Sequence, residues 1–283
     1  MPRPTARRTA AAALLLVLTG CSAQPVAGTP YAVGGTPSTD AVTAAPTALA
    51  PGPVTVIALG DSLTAGDGDD SGLGFAGRLV ETIAARPGRE GSSLVDLGQS
   101  GWDSTAMVDG QEGSPAPLAQ AVDAARAAAP AAVLATVLIG SNDLWYAYSG
   151  AENPTPRADE DAVVATYRAN LDRTVRELRA AGAVVVVGLP DDQSVRPISV
   201  DIARLNEQLP DVTEEEVGKM SALSEELGAV VEEVADTYDV PTVDTNDPFW
   251  SDPSRMADDG IHPNADGYAQ MATAWAEAVD PLL

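Results

Sequence analysis

Val54-Thr55-Val56-Ile57-Ala58-Leu59-Gly60-Asp61-Ser62-Leu63-Thr64 is the stretch that decides the fold. Six residues, apolar except for Thr55, run without a polar alternation, as in a strand covered on both faces. They end in a turn-forming Gly-Asp-Ser. Comparable runs recur at Ser93 to Leu97, Ala132 to Ile139, Ala183 to Leu189 and, more weakly, Val240 to Val243. Helical stripes lie between and after them: Phe75, Leu79 and Ile83; then Val164, Tyr167, Leu171, Val175 and Leu178. A third joins Val217, Met220, Leu223, Leu227, Val230 and Val234, and Tyr268, Met271, Trp275 and Val279 form the last. Spacings of three and four place each set on one helix face. Strand and helix alternating about five times predict a three-layer α/β/α domain, with a mostly parallel five-stranded sheet and helices on both faces. In such sheets the functional site lies beyond the carboxyl ends of the strands.

Chemically able residues cluster at those ends. Gly60-Asp61-Ser62-Leu63 follows the first run, Gly98-Gln99-Ser100-Gly101 the second and Gly140-Ser141-Asn142-Asp143 the third. Asp259-Gly260-Ile261-His262 precedes the last helix. The fold would carry all four segments to one edge. A serine hydroxyl is a weak nucleophile near neutral pH and needs a base beside it. His262 is the only histidine of the chain. Asp259, three residues earlier, can hold one ring nitrogen and stabilise the imidazolium that forms. Charge developing on a carbonyl oxygen could be received by the N–H of Ser62, the N–H of Gly101 and the amide of Asn142.

The ordered set G-D-S-L, Gly, G-x-N-D and D-x-x-H resembles the SGNH, or GDSL, hydrolase superfamily from about Val54 to the C-terminus. The resemblance implies Ser62 as nucleophile, Asp259 and His262 as the other triad members, and Ser62, Gly101 and Asn142 as the oxyanion hole. The expected activity is hydrolysis of small or glycan-linked acyl esters through an acyl-serine, without a cofactor. The competing reading is a non-catalytic lipoprotein that binds cell-wall or glycan material on the same scaffold. Aromatics cluster beside the motifs, and Trp102, Trp145, Tyr146 and Trp250 are expected to line the substrate pocket.

The first fifty residues do not read as core. Arg3, Arg7 and Arg8 precede the apolar run Ala10 to Leu18, as in a secretory signal peptide over 1–20. It ends in Leu18-Thr19-Gly20-Cys21, which resembles the bacterial lipoprotein processing box and implies a lipid on Cys21. Residues 21–53, rich in Ala, Thr, Pro and Gly, read as a flexible tether, and 54–283 as the hydrolase domain. The protein is therefore expected to be exported, either held to the outer face of the cytoplasmic membrane by that lipid alone or secreted, and to work as a monomer.

Charge and cysteine content exclude other classes. With 41 Asp and Glu against 16 Lys and Arg the net charge is −25, and loss of Arg3, Arg7 and Arg8 takes it to −28. Such a surface repels nucleic acid. One cysteine permits no internal disulfide, and with a single histidine it leaves no zinc or haem site of those ligands. Asp67 to Gly72 imitates the first half of a calcium loop, but Arg78 stands where a bidentate carboxylate would be needed, so no metal is expected.

Overall fold

A computed structural model of the chain describes residues 46–283 apart from 112, 150–158 and 247. The signal peptide, Cys21 and most of the tether lie outside the described residues. Five strands form one wholly parallel sheet: β1 (Val54–Gly60), β2 (Ser93–Gly98), β3 (Ala132–Leu138), β4 (Val184–Gly188) and β5 (Thr242–Val243). Their spatial order is β2-β1-β3-β4-β5. The direction of winding reverses between β1 and β3, which leaves a crevice at the carboxyl ends of those two strands.

The unbroken apolar runs are explained by the two faces. Ile57 and Leu59 of β1, with Val133, Ala135 and Val137 of β3, join one buried cluster. The alternate residues Val56, Ala58, Leu134 and Leu138 join the other. Helices α2 (Gly74–Ala84) and α9 (Ala265–Val279) cover the second face, where Phe75 stacks on Trp275 at 4.9 Å between ring centroids. Helices α4 (Pro117–Ala128), α6 (Glu160–Ala180) and α8 (Glu214–Tyr238) cover the first. Each fully buried Leu, Ile or Phe on these faces contributes about 1.5–3 kcal/mol relative to exposure.

Four short helices follow strand ends or fill connections. They are α1 (Ser62–Ala65) after β1, α3 (Ser104–Asp109) after β2, α5 (Ser141–Tyr148) after β3 and α7 (Ile202–Gln208) before α8. Gly98 lets β2 end directly beneath α1, because a Cβ there would collide with Ala65. The acidic stretch between β4 and β5 is built mainly as a crossover. Helix α8 opens with a capping box of Thr213 and Glu216, then packs its apolar stripe into the core against α6.

Leu49 is buried, and its N–H donates to Leu282 O at 2.7 Å. Arg89, only 6% exposed, donates to the carbonyls of Ala50, Gly52 and Leu283. The last residues assigned to the tether, Leu49 to Gly52, therefore pack on the domain.

Candidate active site

The turn that ends β1 is fixed by Asp61, whose Oδ1 accepts the N–H of Leu63 at 2.9 Å and caps α1. Ser62 is the first residue of that helix, so its N–H has no partner within the helix. Opposite it, Asp259 to His262 form a tight turn closed on one carboxylate. Asp259 Oδ1 accepts from Ile261 N at 2.8 Å and from His262 N at 3.0 Å. Oδ2 of the same carboxylate lies 2.6 Å from His262 Nδ1. With Nδ1–H donating there, Nε2 is left to accept, and it stands 2.8 Å from Ser62 Oγ. The turn runs into α9, whose N-cap Asn264 accepts from Asp266 N and Gly267 N. Asn264 also ties the turn back through Ser254 O and Met256 O.

The other two motifs reach the same edge. Gly101, with φ +78°, lies exposed in the turn Gln99 to Trp102, and Gln99 N donates to Gly60 O at 3.0 Å. Asn142 is the second residue of α5. One N–H of its amide donates to Trp102 O at 2.8 Å, which leaves the second available. The arrangement has the parts for acyl transfer: a hydroxyl in contact with a base, an orienting carboxylate and N–H groups on the neighbouring strand-end turns.

The aromatic reading needs correction. Trp145 is 3% exposed and Trp250 1%, so both are core side chains and not pocket walls. Trp145 packs in the α4, α6 and α8 layer. Trp250 donates from its indole N–H to Thr245 O at 2.6 Å, stacks with Phe249 and lies under the Arg196 guanidinium at 4.6 Å. Only Trp102 and Tyr146 of the four keep partly exposed surface at the site edge. A large aromatic beside a strand end is hidden wherever a neighbouring helix closes over it, and α6 and the segment after β4 do that here.

Buried carboxyls lie directly behind the reacting groups. Burial pushes Asp61 up to about 6, against pulls from the Leu63 N–H, Arg196 and His262. Its Oδ2 is buried with no protein hydrogen-bond partner. Asp143, next to Asn142, is pushed up to about 7, again chiefly by burial. It accepts from Ser104 N at 2.9 Å and from Ser104 Oγ at 2.5 Å, which ties α5 to α3. Asp259 is held at about 2: burial raises it, but the His262 side chain and the N–H groups of His262 and Ile261 overcome that. Asp69, from the calcium-like stretch, serves a different end. It pairs with Arg78 and accepts from Ser71 N and Gly74 N, at 2.9 Å each.

Behind the His262 turn stands a wall built from the segment that follows β4. Arg196 forms a bidentate pair with Asp191 at 2.7 and 2.8 Å, both side chains 1% exposed. Two residues on, Ile198 N donates to Gly260 O at 3.1 Å, and Arg204 bonds Asp258 O.

The profile of the GDSL-like lipase/acylhydrolase family matches residues 58–270, about three quarters of the sequence. The chain belongs to that family. As a GDSL-like acylhydrolase it is an ester hydrolase, and all four quoted motifs fall inside the matched region. No curated protein matches its sequence. Solved structures share its fold at low identity. A lipase/acylhydrolase from Enterococcus faecalis is 21% identical, with a TM-score of 0.52 over 80% of this chain and 95% of that one. Axe2, an acetylxylan esterase from Geobacillus stearothermophilus, is 20% identical, with a TM-score of 0.54 over 82% and 95%. LAE5, an alpha/beta hydrolase from the metagenome of Lake Arreo, Spain, is 20% identical, with a TM-score of 0.53 over 84% and 100%.

Proposed function

We propose that this GDSL-like hydrolase is a serine esterase for small or glycan-linked acyl esters. The single observation that carries the reading is the relay Asp259–His262–Ser62, at 2.6 and 2.8 Å. His262 Nε2 takes the proton of Ser62 Oγ as that oxygen attacks the ester carbonyl. The tetrahedral oxyanion is received by the N–H groups of Ser62 and Gly101 and by the Asn142 amide. Collapse expels the alcohol, which takes the proton from His262, and leaves an acyl-serine. Water, deprotonated by the same imidazole, then releases the acid and restores Ser62. Asp259 stays ionised throughout, since its carboxyl is held at about 2.

A short acyl group on a bulky alcohol suits the open setting of the partly exposed Ser62 and exposed Gly101. The acetylxylan esterase activity named for Axe2 is chemistry of this kind, and we extend it to this chain only as a substrate class. Export, lipid on Cys21 and a tether over the following residues complete the proposal, which places the enzyme outside the cytoplasmic membrane. The test is a panel of esters with varied acyl and alcohol parts, read with wild type and Ser62→Ala. Loss of turnover and of fluorophosphonate labelling in the variant, with folding intact, supports the reading. Undiminished turnover in Ser62→Ala would sink it. For the anchor, wild type expressed in a bacterial host should take up labelled fatty acid and Cys21→Ala should not.

A further inference from the structure

The turn that carries Gly101 is held by side chains from two separate elements. Ser100 Oγ donates to Asp67 Oδ2 at 2.6 Å, in the loop after α1. The Asn142 amide donates to Trp102 O at 2.8 Å, and the Tyr146 hydroxyl donates to Gly101 O at 2.7 Å. Asn142 and Tyr146 are four residues apart in α5, so one helix face grips two successive carbonyls of the turn.

Gly101 is the residue of this turn with the most freedom. At φ +78° and without a Cβ, it can rotate either flanking peptide plane at little steric cost. In the mechanism above, its N–H must point at the developing oxyanion. Water could satisfy the exposed Gly101 carbonyl equally well, so the Tyr146 hydroxyl is not needed merely to pair a polar group. What it adds is direction. The Tyr146 hydroxyl holds the Gly101–Trp102 peptide plane by its carbonyl, and with the Ser100 side chain tied to Asp67 on the other side, Gly101 is anchored at both flanks.

We propose that Tyr146 is a positioning residue for the oxyanion hole, its hydroxyl fixing the Gly101 carbonyl so that the Gly101 N–H stays aimed at the reacting oxygen. The inference rests on the proposed role of Gly101. It replaces the earlier expectation that Tyr146 is a wall of the substrate pocket. The side chain acts through the backbone and leaves substrate binding in the ground state nearly untouched. Preorganisation of a donor matters where charge develops, and that is in the transition state.

The experiment compares wild type, Tyr146→Phe, Asn142→Ala and Ser62→Ala with a short-chain p-nitrophenyl ester, and measures inhibition by a boronic acid that mimics the tetrahedral state. Tyr146→Phe should melt like wild type and lower kcat by about tenfold with KM within about twofold. Boronate affinity should fall by a factor similar to that in kcat/KM. Asn142→Ala should lower kcat by about 10²–10³. Wild-type kcat and boronate affinity in Tyr146→Phe, beside inactive Ser62→Ala and impaired Asn142→Ala, would overturn this inference alone. An effect confined to KM would also overturn it and return Tyr146 to the substrate wall. If Ser62→Ala and Asn142→Ala keep full activity, it is the site assignment that fails.

Discussion

His262 Nε2 lies 2.8 Å from Ser62 Oγ although 200 positions of sequence separate the two residues. The contact is made at the crevice between β1 and β3, where a parallel sheet of this order exposes loop ends from both halves of the chain. One histidine serves the whole protein, and its other ring nitrogen is committed to Asp259.

That commitment makes the tautomer the vulnerable point. Asp259→Asn can present an N–H where Nδ1 needs an acceptor, which favours the tautomer with Nε2 protonated and unable to take the serine proton. A fall in kcat of about 10⁴ is expected, with the fold retained. Ester turnover and circular dichroism of the purified variant check it, and a loss under tenfold would show that Asp259 does not set the tautomer.

Trp145 and Trp102 should separate packing from substrate contact. Trp145→Ala empties a buried site and should cost about 3–5 kcal/mol, with the acyl-chain preference of the remaining folded enzyme unchanged. Trp102→Ala, at a partly exposed position, should leave the melt near wild type and alter KM. Urea midpoints and kcat/KM for acetyl to decanoyl esters decide between the two, and a shifted chain preference in Trp145→Ala would contradict the core assignment.

Asp143 gives stability a pH dependence of definite sign. Its carboxyl, raised from 3.8 to about 7, keeps its proton longer in the folded protein than in the unfolded chain. The stability it contributes is complete below about pH 4 and is lost as pH rises through about 7. Asp61, raised to about 6, acts in the same direction over a narrower window. Asp143→Asn keeps an acceptor for Ser104 N and should flatten, without abolishing, the decline in melting temperature from pH 4 to 7. A variant that declines as steeply as wild type would show that Asp143 does not titrate there.

The Arg196–Asp191 pair predicts an asymmetric double-mutant cycle. Arg196→Met strands a buried carboxylate and should cost about 3–5 kcal/mol in chemical denaturation. Adding Asp191→Asn should recover a large part of that loss. Purely additive effects would mean that the two charges are not coupled.

The central strands were legible because they run apolar with little interruption: Val54 to Leu59 is packed on both faces and needs no polar alternation. Helices α2, α6, α8 and α9 announced themselves through large side chains at helical spacing. Helix α4 did not, since three of its buried positions after Leu118 are Ala121, Val122 and Ala125, and small residues mark a face weakly. At the site, Ser62 and Asn142 could be singled out from residue type and position at strand ends, and Asp259 and His262 from their spacing ahead of the last helix. Burial could not be read, and it separates Trp145 from Trp102 and lifts Asp143. The bond from Tyr146 to Gly101 was equally invisible, because it joins a helix face to a turn 45 residues away.

The grip of Arg89 on the chain entering β1 fixes where that chain joins the domain relative to Ser62. Ala50, Gly52 and Leu283 are bound at the amino end of the sheet, and Ser62 lies at the other. The seven residues of β1 put about 23 Å between the two ends. The residues that lead into β1 are therefore held at the base of the domain, on the side away from Ser62.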